Sequence, residues 1–192
     1  MKLFSYFITL MFLFIISGIA IFFYGLWYFG KDLPDYKELS KYNPNVVTRI
    51  HAGNGALLAE YATQKRVFVP ISVIPKKVIN AFISAEDKDF YNHFGIDLTA
   101  TLRALITNVK NIGTNKRLIG ASTITQQVAK NFLLSSEISY ERKIKEAILA
   151  IRIERAFTKN EILELYLNEI YLGFKSYGVA AAALNYFDKS LD

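Results

Sequence analysis

The pattern of apolar and polar positions divides the chain into three stretches. The first, Leu3 to Gly30, carries no charged residue and is bracketed by Lys2 and Lys31. It exceeds the roughly 20 residues needed to span hydrocarbon. Tyr24, Trp27 and Tyr28 cluster near its far end, where amphipathic aromatic rings favour a membrane interface. A cleaved signal peptide fits less well, because its apolar region is usually about 7 to 15 residues and ends at a small-residue cleavage site. The pattern predicts an uncleaved membrane anchor over residues 1–30. Lys2 and the terminal amine argue for a cytoplasmic start, so the body is expected outside, facing the periplasm or its equivalent.

The second stretch, residues 31–74, opens with a connector containing Pro34, Asp35 and Asn43. Two apolar runs, Val46 to Ile50 and Leu57 to Tyr61, flank Ala52-Gly53-Asn54-Gly55, and an Asn-Gly pair in that setting is a hairpin signal. Arg66 to Val69, closed by Pro70, is a third candidate strand. In the third stretch, residues 75–192, the period becomes helical and no comparable strand signal returns. Helices are predicted near 75–93, 97–110, 122–134, 140–157 and 159–172, with a short sixth from about 178. Thr158 with Glu161 and Thr123 with Gln126 have capping-box spacing, and Gly173 suits a helix end. Asn111 to Gly120 is a polar loop expected to be mobile. The chain is thus mainly α, with a small N-terminal β-hairpin region behind one transmembrane helix.

Composition adds limits. The 192 residues suggest about one core, and 52% hydrophobic with 21% charged content excludes disorder. The absence of cysteine excludes disulfides, thiolate zinc sites and a cysteine nucleophile. The net charge is +6, and residues 98–160 alone hold 11 Lys plus Arg against 4 Glu. An anionic ligand is expected there. Nucleic acid is a poor candidate, since no binding motif accompanies the cations beside a membrane anchor. A pyrophosphate on a membrane lipid satisfies both features. His51 and His93 are too few and too far apart to suggest a metal site.

On the first predicted body helix, Ile79, Phe82, Ile83 and Phe90 lie three, four or seven places from Glu86, which places its carboxylate in the apolar stripe. Such a setting raises a carboxyl pKa, as a general base or acid near neutrality requires. A Glu that caps or pairs with a buried Arg is the alternative. Asp87, about 100° around the helix, suits a local hydrogen-bonding role. The third helix presents Ser122, Gln126, Gln127 and Lys130, with Ile124, Val128 and Phe132 as its apolar ridge. Such a helix can hold a polyhydroxylated or phosphorylated ligand, or it is an ordinary solvated face. Glu146 follows Arg142, Lys143 and Lys145, which an exposed i,i+4 ion pair explains equally well.

These residues carry a resemblance. Glu86-Asp87-Lys88-Asp89-Phe90-Tyr91-Asn92-His93-Phe94-Gly95 resembles the first motif of the peptidoglycan glycosyltransferases, the polymerase domain of class A penicillin-binding proteins. Residues 120–131, from Gly120-Ala121-Ser122 to Lys130-Asn131, resemble the second, and Arg142-Lys143-Ile144-Lys145-Glu146 the third. Lys159 to Gly173 resembles the fourth and Gly178 to Lys189 the fifth. The resemblance implies a lysozyme-like helical fold with a smaller membrane-embedded jaw. It implies polymerisation of lipid II into β-1,4 glycan with release of undecaprenyl pyrophosphate at the bacterial inner membrane. Glu86 matches the base that deprotonates the acceptor 4-hydroxyl, and Glu146 the carboxylate at the donor pyrophosphate. A divalent metal, magnesium or manganese, is an optional participant there. Arg103, Lys130 and Lys145 match cations that neutralise the leaving group, with Arg142 beside them. Ser122, Gln126 and Gln127 match sugar and phosphate contacts, and Phe90 packs beside the base. Lipid II, the growing lipid-linked glycan, the membrane and other cell-wall synthesis proteins are the implied partners.

The sequence departs from the family pattern in three places. Asp188 stands where the fifth motif usually has Gly, Ile138 stands near a usual basic position, and Asp192 precedes the family's remaining helices. The glycosyltransferase region is therefore expected to be cut short. Two other functions compete: a lysozyme-like glycan-cleaving enzyme, which needs no cationic pyrophosphate site, and a non-catalytic membrane-anchored scaffold.

Overall fold

A computed structural model describes residues 2–41, 48–55, 57–61, 65–134, 137 and 139–191. Helix α1 (Lys2–Gly30) follows the charge-free run, and its span Tyr6–Gly30 has a mean hydropathy of 2.5. Its large apolar side chains stay exposed along its length. Only at Gly30 does it become buried, where Arg152 Nη2 donates to the Gly30 carbonyl at 3.1 Å. Leu33, Tyr36 and Leu39 then pack onto the core, and a 3-10 helix (Tyr36–Lys41) lies against α5 (Tyr140–Ala156).

The hairpin forms as expected. Strands β1 (Thr48–His51) and β2 (Leu57–Tyr61) pair antiparallel, with Gly55 supplying φ +83° in the turn. Val46 and Val47, the expected start of the first strand, lie outside the described residues. The third strand is shorter than expected: β3 (Lys65–Arg66) pairs in parallel with β4 (Ser176–Tyr177), a strand the sequence did not signal. Its continuation is taken by side chains of α6 (Lys159–Glu169). Val69 N–H donates to Asn168 Oδ1 at 2.8 Å, Ile71 N–H to Glu164 Oε2 at 2.7 Å, and Pro70 between them has no N–H. Arg66 caps this seam with a two-pronged pair to Glu169 and lies 4.4 Å over the Tyr177 ring.

The body is built from α2 (Lys76–Glu86), α3 (Leu98–Lys110), α4 (Ile124–Leu133), α5, α6 and α7 (Val179–Phe187). Helix α4 packs between α5 and α6, burying Ile124, Val128 and Ala129 against Leu149, Ile153, Ile162 and Leu163. Both capping boxes are present, Thr123 with Gln126 opening α4 and Thr158 with Glu161 opening α6. The loop 111–120 is stapled at its far end: Asn108 donates to the Ile119 carbonyl at 2.9 Å and accepts from its N–H at 2.8 Å. Helix α3 buries only Ala104 and turns Leu98, Leu102, Leu105 and Val109 outward, an apolar stripe at alternating four- and three-residue spacing.

Two helix ends differ from expectation. The helix expected over 75–93 stops at Glu86, because Asp87 leaves helical geometry (φ −156°, ψ 74°), and a short 3-10 turn (Phe90–Asn92) follows. Helix α6 ends at Glu169 rather than 172. Gly173, Phe174 and Lys175 then adopt positive φ (94°, 44° and 61°) in a turn closed by Ser176 N–H to the Gly173 carbonyl at 2.7 Å. A Cβ at Gly173 would sit 2.5 Å from the Tyr186 hydroxyl.

The glycine usual at position 188 of the fifth motif has a backbone reason. Asp188 terminates α7 in the left-handed region at φ 52°, a conformation glycine adopts without a Cβ penalty. Asp188→Gly is expected to stabilise the fold by about 0.5 to 1 kcal/mol, read from the shift in a urea unfolding midpoint.

Candidate functional site

Glu86 is the last residue of α2 and is exposed, not set in an apolar wall as its helical spacing suggested. The early end of the helix accounts for this, since it removes Phe90 from the stripe and frees the Glu86 side chain to turn outward. Gln127 on α4 donates its Nε2 to Glu86 Oε2 at 2.8 Å, leaving Oε1 without a hydrogen bond among the described residues. Tyr166 on α6 is nearby: burial, and secondarily the Glu86 charge, push its phenol well above the ordinary tyrosine range. Its buried hydroxyl has no partner among the described residues.

Asp87, one residue on, is buried, and its hydrogen bonds reach beyond the local role the sequence suggested. Its Oδ2 accepts from the Ile124 N–H, in the first turn of α4, at 3.0 Å, and both its oxygens face His93 Nε2 at 2.9 and 3.0 Å. Gly95 N–H donates to His93 Nδ1 at 3.2 Å, so that nitrogen is bare and the ring proton sits on Nε2, aimed at Asp87. Thr123 Oγ1 closes the loop by donating to the Gly95 carbonyl at 2.6 Å. Gly95 has φ +90°, and a Cβ there would lie 2.7 Å from the Ala150 backbone on α5. The end of α2, the start of α4 and the middle of α5 are thereby locked together.

The second carboxylate is deeper. Glu146 is 1% exposed, with Oε1 accepting from Arg142 Nη1 at 2.7 Å and Oε2 from Lys143 Nζ at 2.5 Å. The i,i+4 pair with Arg142 is therefore present but buried, unlike the exposed pair that would leave Glu146 without a site role. Lys143 also donates to Ser122 Oγ at 2.8 Å, which joins the approach to α4 with the α5 cations. Glu86 and Glu146 are thus linked through opposite ends of one short stretch, 122–127.

The remaining expected site residues divide. Lys130 is half-buried on α4 and makes no ion pair among the described residues, while Arg103 is exposed on α3. Lys145 pairs with Glu141 at 2.7 Å at the surface. Gln126 is 9% exposed and spends Oε1 on the Thr123 N–H at 2.9 Å, inside the capping box. Phe90 is fully buried, under Lys159 Nζ at 4.4 Å from its ring, so it supports the turn after Glu86 from within the core. Sequence reasoning missed Glu154, which accepts from Thr125 Oγ1 at 2.6 Å and Lys159 Nζ at 2.7 Å and ties α4, α5 and α6 beneath the site. Its signal was the Lys five residues on.

A divalent ion does not fit Glu146 as it stands, since both of its oxygens are taken by cations. Among the described residues no group of three acidic or imidazole side chains forms an alternative cage.

The fold is thus a mainly helical body with an exposed carboxylate at the end of α2 and a second, cation-gripped carboxylate buried on α5. The model of the transglycosylase family matches residues 54–192, and the chain belongs to that family. The chain is 55% identical over 178 residues to penicillin-binding protein 1A of Rickettsia felis, covering 93% of this chain and 22% of that protein. It is 50% identical over 159 residues to the protein of the same name from Aquifex aeolicus, covering 83% and 22%. Against that of Escherichia coli it is 45% identical over 193 residues, covering 100% and 22%. The chain thus spans about a fifth to a quarter of the length of these relatives.

Proposed function

We propose that this chain is a peptidoglycan glycosyltransferase that polymerises lipid II into β-1,4-linked glycan and releases undecaprenyl pyrophosphate. The observation that carries this reading is the exposed Glu86, held on one oxygen by Gln127 and open on the other, with the Lys143 amine bridging Ser122 and the buried Glu146. Glu86 Oε1 takes the proton from the acceptor 4-hydroxyl. The hydroxyl oxygen bonds to the anomeric carbon of the growing chain as the bond from that carbon to the pyrophosphate oxygen breaks, inverting the configuration. Lys130, Arg103 and Lys145 stabilise the charge that accumulates on the leaving pyrophosphate, and Lys143 sits at the junction between Ser122 and Glu146. Glu146 acts by holding Arg142 and Lys143 in place.

The α1 helix and the apolar stripe of α3 support a single-pass anchor in the bacterial inner membrane with the body at its outer surface. Arg152 meets the end of α1, and the preceding residue, Ile151, lines an apolar pocket with Phe94 and Leu98 at the start of α3. The anchor exit and the start of the α3 stripe therefore both adjoin the same stretch of α5, residues 151–152. Other cell-wall synthesis proteins are partners consistent with such a location.

The test is incubation of the purified protein with labelled lipid II. Glycan polymer is expected, and its appearance supports the reading. Cleavage of preformed glycan without polymer would favour the lytic alternative, and lipid II binding without either reaction would favour a scaffold.

A further inference from the structure

We infer that Arg152 is a positioning residue that locks the body to its membrane helix at a fixed tilt, and that this lock governs the use of substrates held in the bilayer. The inference rests on the reading of α1 as an anchor and of the chain as a lipid II polymerase. Arg152 is half-buried on α5, and its Nη2 donates to the Gly30 carbonyl at 3.1 Å. That carbonyl lies at the negative end of α1, where a cation is favoured. Gly30 is buried, and a Cβ there would approach the same Nη2 to 3.2 Å, so any side chain crowds the guanidinium. The chain does not then swing free. Only residues 31–35 separate α1 from the 3-10 helix (Tyr36–Lys41), whose Leu39 is 4% exposed and which lies against α5.

Helix α5 thus receives the anchor at Arg152 and holds Glu146 six residues earlier, about 9 Å along the same rigid axis. A change of angle at Gly30 moves the whole cleft relative to the membrane. A lipid-linked substrate cannot follow, because its tail fixes its orientation and depth in the bilayer. A soluble analogue can approach from any direction. The lock therefore separates the two substrates, which a role confined to the reacting groups does not.

The experiment compares the wild-type chain with Arg152→Met, which keeps the aliphatic stem and loses the donors, and with Gly30→Val, which attacks the lock from the other side. In phospholipid vesicles, each variant is expected to lose about tenfold in kcat/KM on long-chain lipid II while staying within about twofold on a short-chain water-soluble analogue, the scale of one lost charge-assisted hydrogen bond. The chain has no cysteine, so spin labels at Phe23→Cys and Lys77→Cys report the angle between anchor and body without other modification. Their distance distribution is expected to broaden in both variants. Equal loss on both substrates would place Arg152 in the support of the fold or site and overturn the lock, as would an unchanged distance distribution. If wild-type protein makes no polymer from either substrate, the polymerase reading fails, and the distance distribution alone decides whether Arg152 fixes the tilt.

Discussion

Glu86→Gln is expected to reduce glycan polymerisation by about 10² to 10⁴-fold, the usual worth of a general base, while leaving the unfolding free energy within about 0.5 kcal/mol of wild type. The two halves of this expectation come from the same geometry. Glu86 is exposed and spends a single hydrogen bond on Gln127, so glutamine loses the basic oxygen without leaving a buried group unsatisfied. Product formation from labelled lipid II, measured beside a denaturant titration, separates the effects. Retained polymerisation would remove Glu86 from the role of base, and a large loss of stability would contradict its exposed position.

The neighbouring carboxylate is expected to behave in the opposite way. Asp87→Ala should cost about 3 kcal/mol of stability, since it removes a buried acceptor serving both His93 and the Ile124 N–H and leaves each donor without its partner. Any activity lost should follow the unfolded fraction and the displacement of α4, and should recover in part in Asp87→Asn, whose carbonyl can still accept from Ile124. Thermal melting of both variants provides the check. A stability unchanged in Asp87→Ala would mean that the joint between α2 and α4 is held elsewhere.

The contrast between these adjacent acids marks the limit of what the sequence made legible. Helical periodicity located α3 through α6 and the starts of α2 and α7 to within a few residues, because the apolar spacing and the two capping boxes are local signals. The hairpin was equally readable from Asn54-Gly55. Periodicity failed at Glu86, where it continued the helix through Phe90 and so placed the carboxylate in the core. The chain breaks there because Asp87 is claimed by the start of α4, 37 residues later, and no local pattern records a long-range hydrogen bond. The short pairing of β3 with β4 escaped for the same reason, being two residues long and dependent on α6 to fold the 66–71 segment back. The five motifs identified the family and marked candidate site residues in the sequence. They did not show that Phe90 is sealed inside or that Glu154 ties three helices together.

One contact bears on how the enzyme keeps its proportions. The closeness of Gly95 to the Ala150 backbone means that main chain meets main chain there, with no side chain between to yield. The spacing between the turn that follows α2 and the middle of α5 is consequently gauged by peptide geometry, which rotamer changes cannot stretch. On the proposed reading as a polymerase, this backbone-to-backbone stop is a fixed calliper between the segment that carries Glu86 and the helix that carries Glu146.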